Sequence, residues 1–214
     1  MMNVMNDRKE IKNNLLDMLM EFIDAPLLAK GFKRRKSSTL YKRTLPEGIQ
    51  EIDFVTSVSP KYQPDAQVHI QPAFILKLPQ VSAKALRLVD GNKMLLANAA
   101  DIILKQPVDI CAPKEEHQRW FIRKPDDHVS VGAAIRSFLE KWLYPFVDSL
   151  ESIGDLLSAY EAADTRLVKQ QHWYVFVSAA YLLKSEPEKA KAVMIEHLGN
   201  PGLKRRYASV YNHL

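Results

Sequence analysis

Two triplets in the second half of the chain, Glu115-Glu116-His117 and Asp126-Asp127-His128, set paired carboxylates beside an imidazole. Carboxylate and imidazole together ligate metal ions and move protons. The spacing argues against both uses. Neighbouring residues in an extended chain point to opposite faces, and neither triplet has the i, i+4 arrangement by which H-E-x-x-H puts two imidazoles on one helix face. They read as charged loop segments unless the fold makes them converge across the strand around Trp120. Cys111 is the sole cysteine, and as a nucleophile it would need a histidine placed beside it by the fold. His69, His117, His128, His172, His197 and His213 are scattered, with no local motif to select one. Cys111 therefore reads as a small buried hydrophobe. Among only 7 glycines there is no G-x-G-x-x-G, no G-x-x-x-x-G-K-[ST] and no G-x-S-x-G. No catalytic residue, cofactor or metal is expected, and an enzyme with a site assembled from the 111–128 stretch stands as an alternative reading.

The strongest local signal is a run of charge. Lys30, Lys33, Arg34, Arg35, Lys36, Lys42 and Arg43 are seven cations with no acid among them. Because the net charge of the whole chain is +5, the remainder carries a net −2. A local basic segment of this kind suits a discrete acidic partner better than a long polyanion. Displayed on a strand pair, Lys33, Arg35, Lys42 and Arg43 beside Tyr41 would contact an acidic protein surface. With Tyr41 stacking a base, the same hairpin 30–43 would bind single-stranded nucleic acid, a less favoured alternative. Ahead of both binding readings stands a solvated edge whose charges prevent aggregation. Trp120 joins Lys33, Arg35, Tyr41, Lys42 and Arg43 as a candidate binding residue. His172-Trp173-Tyr174 with Phe176, and the Tyr207/Tyr211 pair, fall at helical spacing and read first as core and packing aromatics.

These residues need elements to hold them. The apolar positions Ile11, Leu15, Met18 and Phe22, with Leu19, Ile23 and Leu27, recur at threes and fours and predict an amphipathic helix over 7–30, kinked or restarted at Pro26 and ended by Gly31. From Phe32 the period becomes two. A hairpin turning at Pro46-Glu47-Gly48 leads to a long third strand from Val68 to Leu78, where Pro72 suggests an edge position or a bulge. Helical patterning over 82–105, broken at Asp90-Gly91, precedes a further strand at 118–123 and a turn at Lys124-Pro125-Asp126-Asp127. The last third reads as helical. One helix runs from Ser130 to a stop near Tyr144-Pro145, and a second opens on a capping box at Ser152-Ile153-Gly154-Asp155. A third spans about 165–184, a fourth starts at Pro187, and a short terminal helix follows Asn200-Pro201-Gly202.

The segment Leu27-Leu28-Ala29-Lys30-Gly31-Phe32-Lys33-Arg34 leading into Thr39-Leu40-Tyr41-Lys42-Arg43, with the later Gln118-Arg119-Trp120-Phe121 and Leu143-Tyr144-Pro145-Phe146, resembles a bacterial family known as domain of unknown function 4304, over about residues 10–163. The resemblance implies a helix packed on an antiparallel sheet in a bacterial cytoplasm. It brings no reaction and no catalytic residues, and analogy with small bacterial domains adds an immunity-type binding role.

The composition, 47% hydrophobic and 26% charged, is that of a chain that folds unaided. No stretch approaches the roughly 20 apolar residues that span a bilayer, and the opening MMNVMNDRKEIKNN has no apolar signal region. A cytoplasmic protein without membrane partners is expected, and its oligomeric state is not legible. The fold expected is α+β: an N-terminal helix on an antiparallel sheet of about four or five strands, followed by a mostly helical C-terminal third. Residues 1–128 form the helix-plus-sheet core and 129–214 a helical part packed on the same core as one structural unit. The function expected is that of a non-enzymatic, macromolecule-binding module.

Overall fold

The computed structural model describes residues 4–124 and 126–214. Met1–Asn3 and Pro125, a member of the expected turn, lie outside the described residues. The first helix runs as α1 (Val4–Met18), a π-helical segment (Leu19–Ile23) and α2 (Asp24–Ala29). Pro26 neither stops it nor restarts it. Proline has no N–H and its ring crowds the carbonyl four residues back, and a widened turn just upstream makes the room. In that turn the Asp24 N–H reaches the carbonyl of Leu19, five residues back. After α2 the chain closes on Gly31 at φ +82°, with the Phe32 N–H on the Leu27 carbonyl (2.9 Å) and the Gly31 N–H on that of Leu28 (2.9 Å). That pair of bonds is a Schellman cap, and it turns the chain straight into the basic segment.

Strands β1 (Leu40–Thr44), β2 (Ile49–Val58), β3 (Val68–Lys77) and β4 (Leu104–Pro107) follow one another across the sheet, and β5 (Trp120–Ile122) pairs antiparallel with β3. The β1–β2 turn is closed by the Leu45 N–H on the Gly48 carbonyl at 2.8 Å. β3 is a central strand and not the edge that Pro72 suggested. Its ladder with β5 ends at Ile70 opposite Trp120, so Pro72 lies just past the end of that ladder.

The expected helical run over 82–105 is shorter than its pattern. Helix α3 (Pro79–Leu88) stops where Asp90 and Gly91 take left-handed φ values of 51° and 77°. A 3-10 turn at Lys93–Leu96 follows, and the Ile103 N–H then bonds the Leu76 carbonyl at 2.9 Å, drawing the chain into β4. The next helix begins at Asp127 and does not stop at Pro145. It continues as α4 (Asp127–Phe138), a second π segment (Leu139–Leu143) and α5 (Tyr144–Asp148), with the Tyr144 N–H on the Leu139 carbonyl. The same accommodation of proline thereby carries the helix on to Asp148.

The capping box opens α6 (Ile153–Glu161): the Ser152 Oγ accepts from the Asp155 N–H at 3.1 Å, and Asp155 Oδ2 accepts from the Glu151 N–H at 3.0 Å. The third helix of this region starts later than the pattern suggests, at α7 (Trp173–Leu183), because Ala163 turns left-handed and Asp164 holds the Arg166 N–H and guanidinium in a local turn. Helix α8 (Pro187–Leu198) follows, and the terminal helix divides into α9 (Pro201–Arg206) and α10 (Ala208–Asn212).

Close packing divides the chain into two units, Met1–Thr44 with Gln50–Phe74 and Gln106–Asp148, and Leu45–Ile49 with Ile75–Lys105 and Ser149–Leu214. In the first, the two proline-bearing helices supply Leu19, Ile23, Leu27, Phe138, Leu139 and Phe146 to a core shared with Tyr41, Phe54, Phe74 and Trp120. Edge-to-face ring pairs Tyr41–Phe54, Phe74–Phe146 and Trp120–Phe138, with centroids 5.2–5.6 Å apart, tie strands and helices together. The core of the second unit is built around α7, buried almost all round between α3, α6 and α8. Trp173, Phe176 and Tyr207 belong to that core. No helix among the described residues is long and apolar enough to cross a membrane.

Candidate functional site

The Schellman cap brings Lys33 directly opposite Lys42. Each accepts the other's backbone N–H, both at 2.9 Å, in an isolated antiparallel bridge next to β1. Alternation then sorts the cations. Lys33, Arg35, Lys36 and Lys42 are exposed, and none has a carboxylate partner among the described residues.

Arg34, Tyr41 and Arg43 face inward. Arg34 grips Asp24 with two prongs, Nε to Oδ1 at 2.6 Å and Nη2 to Oδ2 at 2.8 Å, and the Tyr41 hydroxyl donates to the same carboxylate at 2.5 Å. Burial and that bond to Asp24 hold the Tyr41 hydroxyl far above its ordinary pKa. Arg43 is 9% exposed, and its Nε and Nη2 donate to Gln50 Oε1 at 2.9 and 2.6 Å. Its Nη1 donates to Asp148 Oδ1 at 2.9 Å, where Lys30 also reaches Oδ2 at 2.7 Å. Gln50 passes its own amide N–H on to the Val147 carbonyl at 2.7 Å. Tyr41 and Arg43 are thus corrections to the expected display. Strand alternation turns both toward the helices, where Tyr41 is core and Arg43 is a buried bracket on the end of α5.

The carboxylate–imidazole triplets do not converge as a site. Glu116 pairs with Lys141 at 3.0 Å, while the His117 ring N–H donates to the Ala112 carbonyl at 3.2 Å. Asp127 accepts the N–H groups of Arg123 and Lys124 at 2.8 and 3.1 Å, and these backbone bonds hold its carboxyl below the usual range. Cys111 is buried with Gln106 Nε2 3.8 Å from its sulfur. No group of three or more His, Cys, Asp or Glu among the described residues is arranged to hold a metal ion.

A cleft of about 470 Å³ opens in the first unit where β3 meets β5, and it combines residues 118–120 of the expected 111–128 stretch with others that precede it. Ser57, Tyr62, His69, Asp109, Arg119 and Trp120 line it, whereas Cys111, His117, Asp127 and His128 do not. His69 is stacked on Phe121, its cross-strand partner, with centroids 4.4 Å apart, and its Nδ1 lies 2.6 Å from the Tyr62 hydroxyl. Burial, and then the nearby Arg119 guanidinium, hold the His69 imidazole below its ordinary pKa against the opposing pull of Asp109. Trp120, expected as a binding residue, is 5% exposed and packs edge-to-face on Phe138, so its ring belongs to the core. Tyr62, His69, Asp109 and Arg119 were not legible as residues of one cleft, since they lie on separate segments of chain and share no spacing.

Compared with known proteins, the chain matches no family model, no curated protein and no solved structure.

Proposed function

We propose that the chain is a non-enzymatic binding module that takes an acidic protein partner on Lys33, Arg35, Lys36 and Lys42. The observation that carries this reading is the direct cross-strand pairing of Lys33 with Lys42. Like charges placed opposite each other weaken a strand pair by roughly a few tenths of a kcal/mol. Here the pair stands beside two further exposed cations, with no carboxylate among the described residues to neutralise any of the four. The inward cations of the same segment are each neutralised, Arg34 by Asp24 and Arg43 by Asp148. That contrast supports a surface left positive for a partner. Tyr41 is 1% exposed, so this surface lacks the ring on which a single-stranded base would stack, and an acidic protein is favoured over nucleic acid. An immunity-type role fits the same chemistry.

The test is affinity capture from a native lysate by the full-length protein and by a Lys33→Glu/Arg35→Glu/Lys42→Glu variant, with the captured proteins identified. A partner of net negative charge retained by the first and lost by the second is expected. Identical partner sets would overturn the role of these cations, and retention of single-stranded oligonucleotide at low salt would move the reading to nucleic acid.

A further inference from the structure

Strand β2 has 10 residues against the 5 of β1, and the surplus lies at one end. The pairing of the two segments begins at the Leu45–Gly48 turn and reaches as far as the Phe54 N–H on the Thr39 carbonyl, at 3.2 Å. Upstream of Thr39 the chain turns away, with the Ser38 N–H on the Arg35 carbonyl at 2.9 Å, and runs along the far side of β1 to the Lys33–Lys42 bridge. Residues 55–58, Val-Thr-Ser-Val, therefore extend past β1.

In a strand the N–H and C=O groups of successive residues point to opposite sides. The Phe54 N–H points to the β1 side, and the Ser59 N–H bonds the Gln67 carbonyl, just ahead of β3, at 2.8 Å. The backbone groups of Thr56 and Val58 thus point to the β1 side and those of Val55 and Ser57 to β3. On the β1 side Thr56 and Val58 meet no strand, and neither makes a backbone hydrogen bond there to any described residue. Val55 is 41% and Val58 38% exposed, and alternation puts one valine on each face of the sheet.

An open strand edge is a template for another strand, and proteins ordinarily blunt it with lysine, proline or a bulge. These four residues carry neither charge nor proline. The charge stands at the two ends instead. Arg35 and Lys36 are exposed in the turn that abuts Thr39, and Lys61 is exposed just beyond Ser59. None of the three has a carboxylate partner among the described residues. The nearby acids are engaged, Asp53 by the Thr39 hydroxyl at 3.1 Å and Asp65 by Arg123 at 2.6 Å. A second copy pairing antiparallel across this edge would bring Lys61 of one chain against Arg35 and Lys36 of the other, like charge on like. A strand with acidic side chains meets cations at both ends.

We propose, building on the acidic-partner reading, that an extended acidic segment of the partner adds to residues 55–58 as a further strand, in line with β1. Its backbone pairs with the N–H and C=O groups of Thr56 and Val58, and its alternate side chains cover Val55 and Val58. Its acidic groups lie on Arg35 and Lys36 at one end and on Lys61 at the other.

The test measures amide hydrogen exchange by ¹⁵N NMR on the full-length protein, with synthetic peptides as probes. One is a capped octapeptide alternating glutamate with valine, the second its lysine–valine counterpart, and the third a glutamate–proline counterpart that keeps the charge but cannot donate to a ladder. In the free protein the Thr56 and Val58 amides are expected to exchange rapidly beside protected Val55 and Ser57 amides, which point to β3. The glutamate–valine peptide is expected to slow Thr56 and Val58 by about tenfold or more, and the other two peptides to leave them unchanged. Thr56→Pro removes one edge donor without touching the β3 ladder. It is expected to abolish the protection of Val58 by the peptide while the Ser57 amide stays slow, which reports an intact sheet. Thr56 and Val58 amides that are already slow in the free protein, or that the glutamate–valine peptide leaves unchanged, overturn strand addition. So does equal protection by the lysine–valine peptide, or protection that grows with protein concentration and needs no peptide, which assigns the edge to a second copy. Capture by the Lys33→Glu/Arg35→Glu/Lys42→Glu variant is read separately, so strand addition can fail while the acidic partner stands.

Discussion

Arg43 stands in a run of seven cations and yet makes almost no contact with water. Its guanidinium spans Gln50, the Val147 carbonyl and Asp148, and it lies 4.9 Å over the Phe32 ring. Removing one partner of a buried charged network costs more than the network contributes, because the groups left behind lose both protein and water. Arg43→Met is therefore expected to destabilise the protein by about 3 kcal/mol, read as a lowered urea midpoint, whereas Lys42→Met next to it should change stability by less than about 0.5 kcal/mol. Asp148 at the other end of that bracket has its own pH signature. Burial raises its pKa, but the hydrogen bonds from Lys30 and Arg43 outweigh that and leave it lowered. A lowered folded pKa means the unfolded chain binds the proton more readily, so the stability from Asp148 is complete above about pH 5 and fades as the pH falls below about 4. Urea unfolding of wild type and Asp148→Asn should differ most near neutrality and converge toward pH 3. A difference independent of pH would count against the ionic role of Asp148.

At the scale of elements, both proline-bearing helices survive by widening one turn, and the two widened helices pack together in the first unit. The close approach is made at Gly132 of α4, where a Cβ would lie 2.5 Å from Cδ2 of Phe22 and 3.0 Å from Cγ of Met18. Alanine favours a helix over glycine by about 1 kcal/mol, so propensity alone predicts a gain from Gly132→Ala. Crowding against a ring in a packed interface costs about 1–3 kcal/mol and should win. A melting temperature lowered by several degrees is the expected result, and a raised one would show that the helices move apart freely. The same accommodation matters to the candidate surface. Because α5 continues through Pro145, Asp148 reaches Arg43 and Lys30, and those two cations are withdrawn from the positive surface.

At the scale of the whole molecule, a net +5 is too small to coat the protein with charge. The positive surface is local, formed by the four exposed cations of the bridge and its approach. Association with an acidic partner should consequently be steered electrostatically, with an on-rate that falls steeply as salt rises from about 0.1 to 1 M and the screening length contracts from roughly 10 to 3 Å. The off-rate should change much less. Stopped-flow mixing with the captured partner separates the two, and an on-rate indifferent to salt would remove the steering role of Lys33, Arg35, Lys36 and Lys42.

Hydrophobic period and punctuation carried the α+β class, the hairpin at Pro46-Glu47-Gly48, the Gly31 stop and the Ser152 capping box, because each depends on residues within one turn of one another. Three things were decided only by tertiary structure. Prolines at 26 and 145 continue helices because packing holds the widened turns in place. The 104–107 segment is a strand because β3 supplies its partner, a long-range pairing that no local pattern encodes. Which of the seven cations face water was settled by the carboxylates of Asp24 and Asp148, the second of which lies on a helix more than a hundred residues further along the chain. The cleft is the extreme case: Tyr62, His69, Asp109 and Arg119 share no spacing, and only the antiparallel register of β3 and β5, with the segments flanking them, puts an imidazole, a guanidinium and a carboxylate around one volume.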